Sequence, residues 1–149
     1  MTATAHAVIG TIIAAKIGDP ILAVPIALAS HFAADAFPHW DTGTNWREKN
    51  KIRFFLESFF DVALSFVLSY ILIALFFPTL KIPYAFFIVV VSQLPDWITA
   101  PYLFFKIKIW PFREMYEFQR GFNVRLDKPW GIITQVLILF LLLIIAKAS

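Results

Sequence analysis

Two histidines and two aspartates fall within eleven residues, His31-Phe32-Ala33-Ala34-Asp35-Ala36-Phe37-Pro38-His39-Trp40-Asp41, in a chain that is only 15% charged. Imidazole and carboxylate are the side chains that ligate divalent metals and move protons. His31 and Asp35 are four residues apart, so on a helix they share one face, one turn from each other. Pro38 pushes Phe37 out of the helical region and ends the helix there. His39 and Asp41 then sit on the following turn, free to fold back towards the same point.

Other ionisable residues can join them. His6, Glu57, Asp61 and Asp96 each lie inside or beside an apolar run. Glu57 and Asp61 repeat the four-residue spacing. Asp96 follows Pro95, which cannot donate to the carbonyl four residues back, so a kink is expected there.

The elements that carry these residues are membrane helices. Of 149 residues, 60% are hydrophobic and 17 are Phe, and mean hydropathy is +0.74. A water-soluble domain of this length cannot bury that much apolar surface. The reading is therefore an all-α polytopic membrane bundle, a single domain over 1–149, with four to five membrane helices. They are expected at about 3–17, 20–37, 52–77, 84–105 and 130–146. The first, roughly 22 Å long, is short for a hydrocarbon core of about 30 Å, and is either a short span or a re-entrant element. His6, Gly10 and Ala14 follow one another at four-residue steps along it. Gly18-Asp19-Pro20 breaks it, and the small residues of the next helix favour a close hairpin. Residues 106–129 interleave basic and aromatic side chains and read as an interfacial segment on the headgroups, not as a nucleic-acid surface. With no Cys, disulfides, thiolate sites and Cys nucleophiles are all excluded. Met1 to His6 lacks the basic region of a signal peptide and is expected to be retained. Nothing in the sequence sets an oligomeric state.

Basic residues sort the loops. If all five helices cross, Lys and Arg at 47, 49, 51, 53, 106, 108, 113, 120, 125 and 128 share one side, and only 16, 81 and 147 lie on the other. The positive-inside rule places the first side, and the N-terminus, in the cytoplasm of an inner (plasma) membrane. His6, His31, Asp35, Glu57, Asp61 and Asp96 then fall roughly 3–15 Å below that one surface. A lone charge at such depth costs about 2.5–3.5 kcal/mol. Apart from Arg53, no Lys or Arg is expected in the layer to pair with them. Such a set calls for a divalent metal; a proton or ion pathway is the other use of the same groups.

The ordered residues Ala5-His6-Ala7, His31-x-x-x-Asp35-x-x-Pro38-His39-x-Asp41 and Leu94-Pro95-Asp96 resemble the bacterial and archaeal membrane-bound metal-dependent hydrolases. Those inner-membrane hydrolases are themselves similar to the zinc-dependent phospholipase C and P1 nuclease group. The resemblance covers about the first 100 residues. It departs from the soluble phospholipases at the first residue, Met1 here instead of Trp, and in the adjacency of Pro38 and His39. It implies a hydrolase of a phosphoester in a lipid or lipid-linked substrate, using one or more divalent ions, most simply Zn²⁺. His31, Asp35, Asp61 and Asp96 would be ligands, with His6 and His39 completing the shell. Glu57 or Asp41 would orient the water or act as catalytic general base, and Arg47, Lys49, Lys51 and Arg53 would hold the phosphate. No His-Glu-x-x-His motif of a membrane zinc protease is present. The alternative is a non-enzymatic scaffold or an ion-translocating protein with a structural His/carboxylate site.

Overall fold

The computed structural model describes residues 1–148. Among them are six α-helices: α1 (Ala3–Lys16), α2 (Pro20–Asp35), α3 (Lys51–Phe76), α4 (Ile82–Phe105), α5 (Phe112–Arg120) and α6 (Trp130–Ala148). No strand forms among the described residues; one isolated parallel bridge joins His39 to Arg125.

Capping explains where the helices begin. Thr2, Asp19 and Asn50 each place a side-chain oxygen on a first-turn N–H of α1, α2 and α3, satisfying donors that have no partner within the helix. Pro20 opens α2 and Pro83 lies in the first turn of α4, where the missing N–H removes no helical bond. As the expected span of 84–105 requires, α4 is one helix across Gln93–Asp96. The helix runs on through both Pro95 and Pro101, because packing on α1, α2 and α3 holds it on both sides of the lost bond.

Only α3, α4 and α6 are long and apolar enough to cross a membrane. Their exposed surfaces carry large hydrophobics such as Phe59, Phe60, Leu75, Phe87, Phe140 and Ile145, too much apolar area to leave in water. Helix α1 occupies the centre and touches α2, α3, α4 and α6. It can do so because its residues are small. At Gly10 a Cβ would lie 2.6 Å from Ser92 Oγ and 3.2 Å from Val89 Cα, so glycine lets α1 and α4 approach this closely. Further along, Ala14, Ala23, Ala27, Ala85, Ile88 and Val91 pack without polar atoms.

The segment after α4 does more than lie on a surface. Helix α5 packs on α4, and the chain beyond it runs beside residues 35–40. Val124 N–H donates to Asp35 O (2.9 Å), His39 N–H to Val124 O (3.1 Å), and Leu126 N–H to His39 O (2.7 Å). Trp40 N–H then donates to Gly131 O (3.1 Å) at the start of α6. A Cβ at Gly131 would meet Leu126 O at 2.1 Å and Trp40 N at 2.7 Å. Three backbone segments therefore converge where only glycine fits.

Candidate metal centre

Helix starts, helix ends and one loop deliver the polar side chains to a single end of the bundle. His6 lies in the first turn of α1, His31 and Asp35 in the last turns of α2, and Asp96 one residue past Pro95 of α4. His39 and Asp41 lie on the loop that the 124–126 segment pins in place. His6, His31 and His39 are almost fully buried, as is Asp35.

Asp35 is the hub. Its Oδ1 lies 3.2 Å from His6 Nε2 and 3.8 Å from His39 Nε2, and its Oδ2 lies 3.7 Å from His31 Nε2. His31 Nε2 is also 3.5 Å from Asp96 Oδ1, and His39 Nε2 is 3.7 Å from Asp41 Oδ2. Ligand atoms of His6, His31 and Asp96 all fall within 4.8 Å of one another. The His6 and His31 rings stack with centroids 3.9 Å apart.

Backbone carbonyls fix which ring nitrogens are bare. His31 Nδ1 lies 2.9 Å from Ser92 O and His39 Nδ1 lies 2.7 Å from Phe37 O. A carbonyl can only accept, so both Nδ1 atoms carry a hydrogen, leaving both Nε2 atoms to face Asp35. His39 Nε2 and His6 Nε2 are buried with no hydrogen-bond partner. An unpaired buried polar atom costs about 1–3 kcal/mol, and two beside one carboxylate call for an electropositive group between them. The chain's own electropositive groups already face this centre. The Gln119 amide donates to His31 Nε2 (3.1 Å) and Asp96 Oδ1 (3.3 Å), and the α-amino group of Met1 pairs with Asp35.

The expectation that the carboxylates lack counter-charge is overturned at three positions: Asp35, through the Met1 α-amino group, Asp41 and Glu57. Asp41 accepts from Arg125 Nε at 3.0 Å and from Thr44 Oγ1 at 3.0 Å. Burial acts to raise its pKa, but the His39 ring and the Arg125 guanidinium outweigh that and hold the carboxyl well below the usual carboxylate range. Glu57 accepts from Lys49 at 2.7 Å and from Arg53 at 2.8 Å. Arg125 is 84 residues from Asp41 in sequence, so no local spacing could reveal the first pair.

Asp61 has a different partner from the one expected. It accepts from Ala3 N–H (2.7 Å), Thr4 N–H (3.1 Å) and Thr4 Oγ1 (2.7 Å), joining α3 to the positive start of α1. It lies outside the His6–His31–Asp96 group.

Two small pockets open on the cluster, of about 130 and 90 Å³. Both are lined by Asp41, Asp96, Thr99 and Arg125. The larger shares Thr42 and Asp61 with an apolar groove of about 800 Å³ along α3. Arg47, Lys49, Lys51 and Arg53 line neither small pocket; Arg125 lines both and Arg120 the smaller. Gln119, Arg120 and Arg125 were not singled out by sequence spacing, because they reach the cluster only after α5 folds back.

Comparison of the chain with family models, curated proteins and solved structures gives no match.

Proposed function

We propose that this chain is an integral membrane metal-dependent hydrolase of a phosphoester in a lipid or lipid-linked substrate. The observation that carries the reading is the convergence of three buried imidazole Nε2 atoms on Asp35, two of them without a hydrogen-bond partner. Anchoring of the opposite nitrogen to a backbone carbonyl, as at His31 and His39, is the usual way a protein orients a histidine ligand. His6, His31, Asp35 and Asp96 would hold one cation, and His39 and Asp41 a second, with Asp35 between them. The all-nitrogen-and-oxygen donor set suits Zn²⁺. Bound there, such an ion supplies Lewis acidity to a phosphoryl oxygen and lowers the pKa of water.

The remaining work falls to the chain. Arg125 and Arg120 face the pockets beside the cluster and suit the charge of a phosphoryl group. Asp41, held ionised by Arg125, accepts a proton poorly, which suits it to hold a cation beside His39 and not to act as general base. The continuity of the small pocket with the apolar groove at Thr42 and Asp61 suits a substrate whose headgroup enters the pocket while its chain lies along α3. In this reading α1 and α2 join α3, α4 and α6 in the bilayer, giving up to five membrane helices with the N-terminus in the cytoplasm. The resemblance to membrane-bound metal-dependent hydrolases points the same way.

Elemental analysis of detergent-purified protein, prepared without chelator, tests the metal site. About one or two divalent ions per chain are expected, with near-zero content in His31→Ala and Asp35→Ala variants. Near-zero metal in the parent protein would end the proposal. A screen of lipid phosphoesters follows: chelator-sensitive turnover supports the hydrolase, whereas bound metal without turnover favours a structural site in a membrane scaffold.

A further inference from the structure

A fourth cavity, of about 560 Å³, lies between the start of α3 and the end of α4, and Phe54, Leu103 and Phe104 form its wall towards the pocket of about 130 Å³. Four cationic residues line it, Arg47, Lys49, Lys51 and Lys106, and no acidic residue is among its lining. The rest of the wall is apolar and aromatic, with Trp46, Phe54, Phe55, Leu56 and Phe104 among it. Charge and apolar surface are therefore segregated by depth. The cations sit on the loop before α3, at its first residue and just past the last turn of α4, while the apolar residues continue down two helices long enough to cross a bilayer.

The cations are not equivalent. Lys49 is held by Glu57 and Thr42 O, which leaves Arg47, Lys51 and Lys106 without a carboxylate partner. Lys106 is held in the left-handed backbone region at φ 61°, a conformation non-glycine residues adopt rarely. There it ends α4 and sets its ammonium 4.4 Å from the Trp46 ring centroid. The Arg47 guanidinium lies 5.5 Å from the same centroid. Trp46 in turn stacks on Phe54, and Phe54 packs against Phe104. A rigid aromatic wall topped by unpaired cations matches an anionic headgroup above an acyl chain.

We propose that this cavity is a binding site for an anionic membrane phospholipid, distinct from the hydrolytic centre in its cations, none of which lines the pockets on the cluster. It rests on the membrane reading of α3 and α4 but not on metal chemistry. Charge complementarity selects the occupant: a zwitterionic lipid would bring its own ammonium against three unpaired cations. The headgroup phosphate meets Arg47, Lys51 and Lys106, and the first part of the chain lies along Phe55 and Leu56.

Quenching of Trp46 by brominated lipid tests this. The full chain is placed in phosphatidylcholine nanodiscs into which brominated phosphatidylglycerol or brominated phosphatidylcholine is titrated. Subtracting a Trp46→Phe variant isolates the Trp46 signal from the other tryptophans. Brominated phosphatidylglycerol is expected to quench at the lower mole fraction. The double variant Lys51→Gln/Lys106→Gln is expected to raise that mole fraction roughly tenfold, while Lys147→Gln, at the far end of α6, leaves it unchanged. Equal quenching by the two lipids, or no change in the double variant, would overturn the site. A Trp46 signal insensitive to both lipids but dependent on protein dilution would assign the cavity to a second copy of the chain. Metal content of the same samples reports separately on the hydrolytic centre, so the two proposals fail independently.

Discussion

The two ends of this bundle are held together by different physics. At the end formed by the α1–α2 and α3–α4 turns, Ala14, Ala23, Ala27, Ala85, Ile88 and Val91 interlock as small and branched apolar side chains. What polar atoms lie buried along the bundle bond to helix carbonyls, as Thr11 does to Ala7 O and Ser69 to Ser65 O. At the other end, three histidines and an aspartate are buried together, two ring nitrogens have no partner, and loop segments cross over them. Small-residue packing brings the helices into contact at the apolar end, whereas the polar end is held by backbone hydrogen bonds between distant segments and by ion pairs. Burying two ring nitrogens there without a partner costs stability.

The largest expected effect comes from the seam that closes the polar end. Gly131→Val drives a branched side chain into Leu126 O and the Trp40 amide, and should destabilise by about 3 kcal/mol or more. Thermal melting in detergent checks it. A near-parental melting temperature would mean that the 124–131 segment is not docked on residues 35–40.

Chelation separates the ends directly. Stripping metal from purified protein should raise amide exchange tenfold or more over residues 31–41, with little change over residues 80–91, where apolar packing carries the structure. Uniform change along the chain would erase the distinction between the two ends.

The Asp41–Arg125 pair gives an intermediate effect. Asp41→Asn or Arg125→Gln should each cost about 1–3 kcal/mol, and their double-mutant cycle should show coupling. The pH dependence follows from the direction of the shift. Because the folded carboxyl titrates below its ordinary value of 3.8, the pair's contribution is complete above that value and is lost as pH falls through the lower folded value. Acid unfolding should therefore begin at higher pH in Arg125→Gln than in the parent. Identical acid profiles would remove Arg125 from the site.

Ser69→Ala should do least. It removes one hydroxyl bonded to the Ser65 carbonyl, and a change within about 1 kcal/mol with unaltered metal content is expected. A larger loss would show that the apolar half also depends on polar contacts.

Much of the scaffold was legible because its signals are local. Gly18-Asp19-Pro20 between α1 and α2 and the long apolar runs set helix positions through chain breaking and hydropathy, which act over a few residues. The four-residue spacing of His31 and Asp35 likewise follows from helical pitch alone. Pro95 shows the reach of a local rule: it removes one helical bond, yet α4 continues through it. Asp61 misled: its partners are the N–H groups of Ala3 and Thr4, which no spacing within α3 announces.

The sequence by itself thus determined an all-helical, strongly apolar chain in which a few histidines and carboxylates gather near the helix ends on one side. Composition, pitch and capping are sufficient for that. Only the tertiary structure decided that Asp35 is the shared neighbour of all three imidazoles, that Asp61 belongs to a helix start instead, and that Gln119 and Arg125 complete the site. Those facts depend on how α5 and the 121–131 segment fold back over residues 35–41, which is fixed by long-range backbone hydrogen bonds and the close approach at Gly131, and no local pattern encodes them.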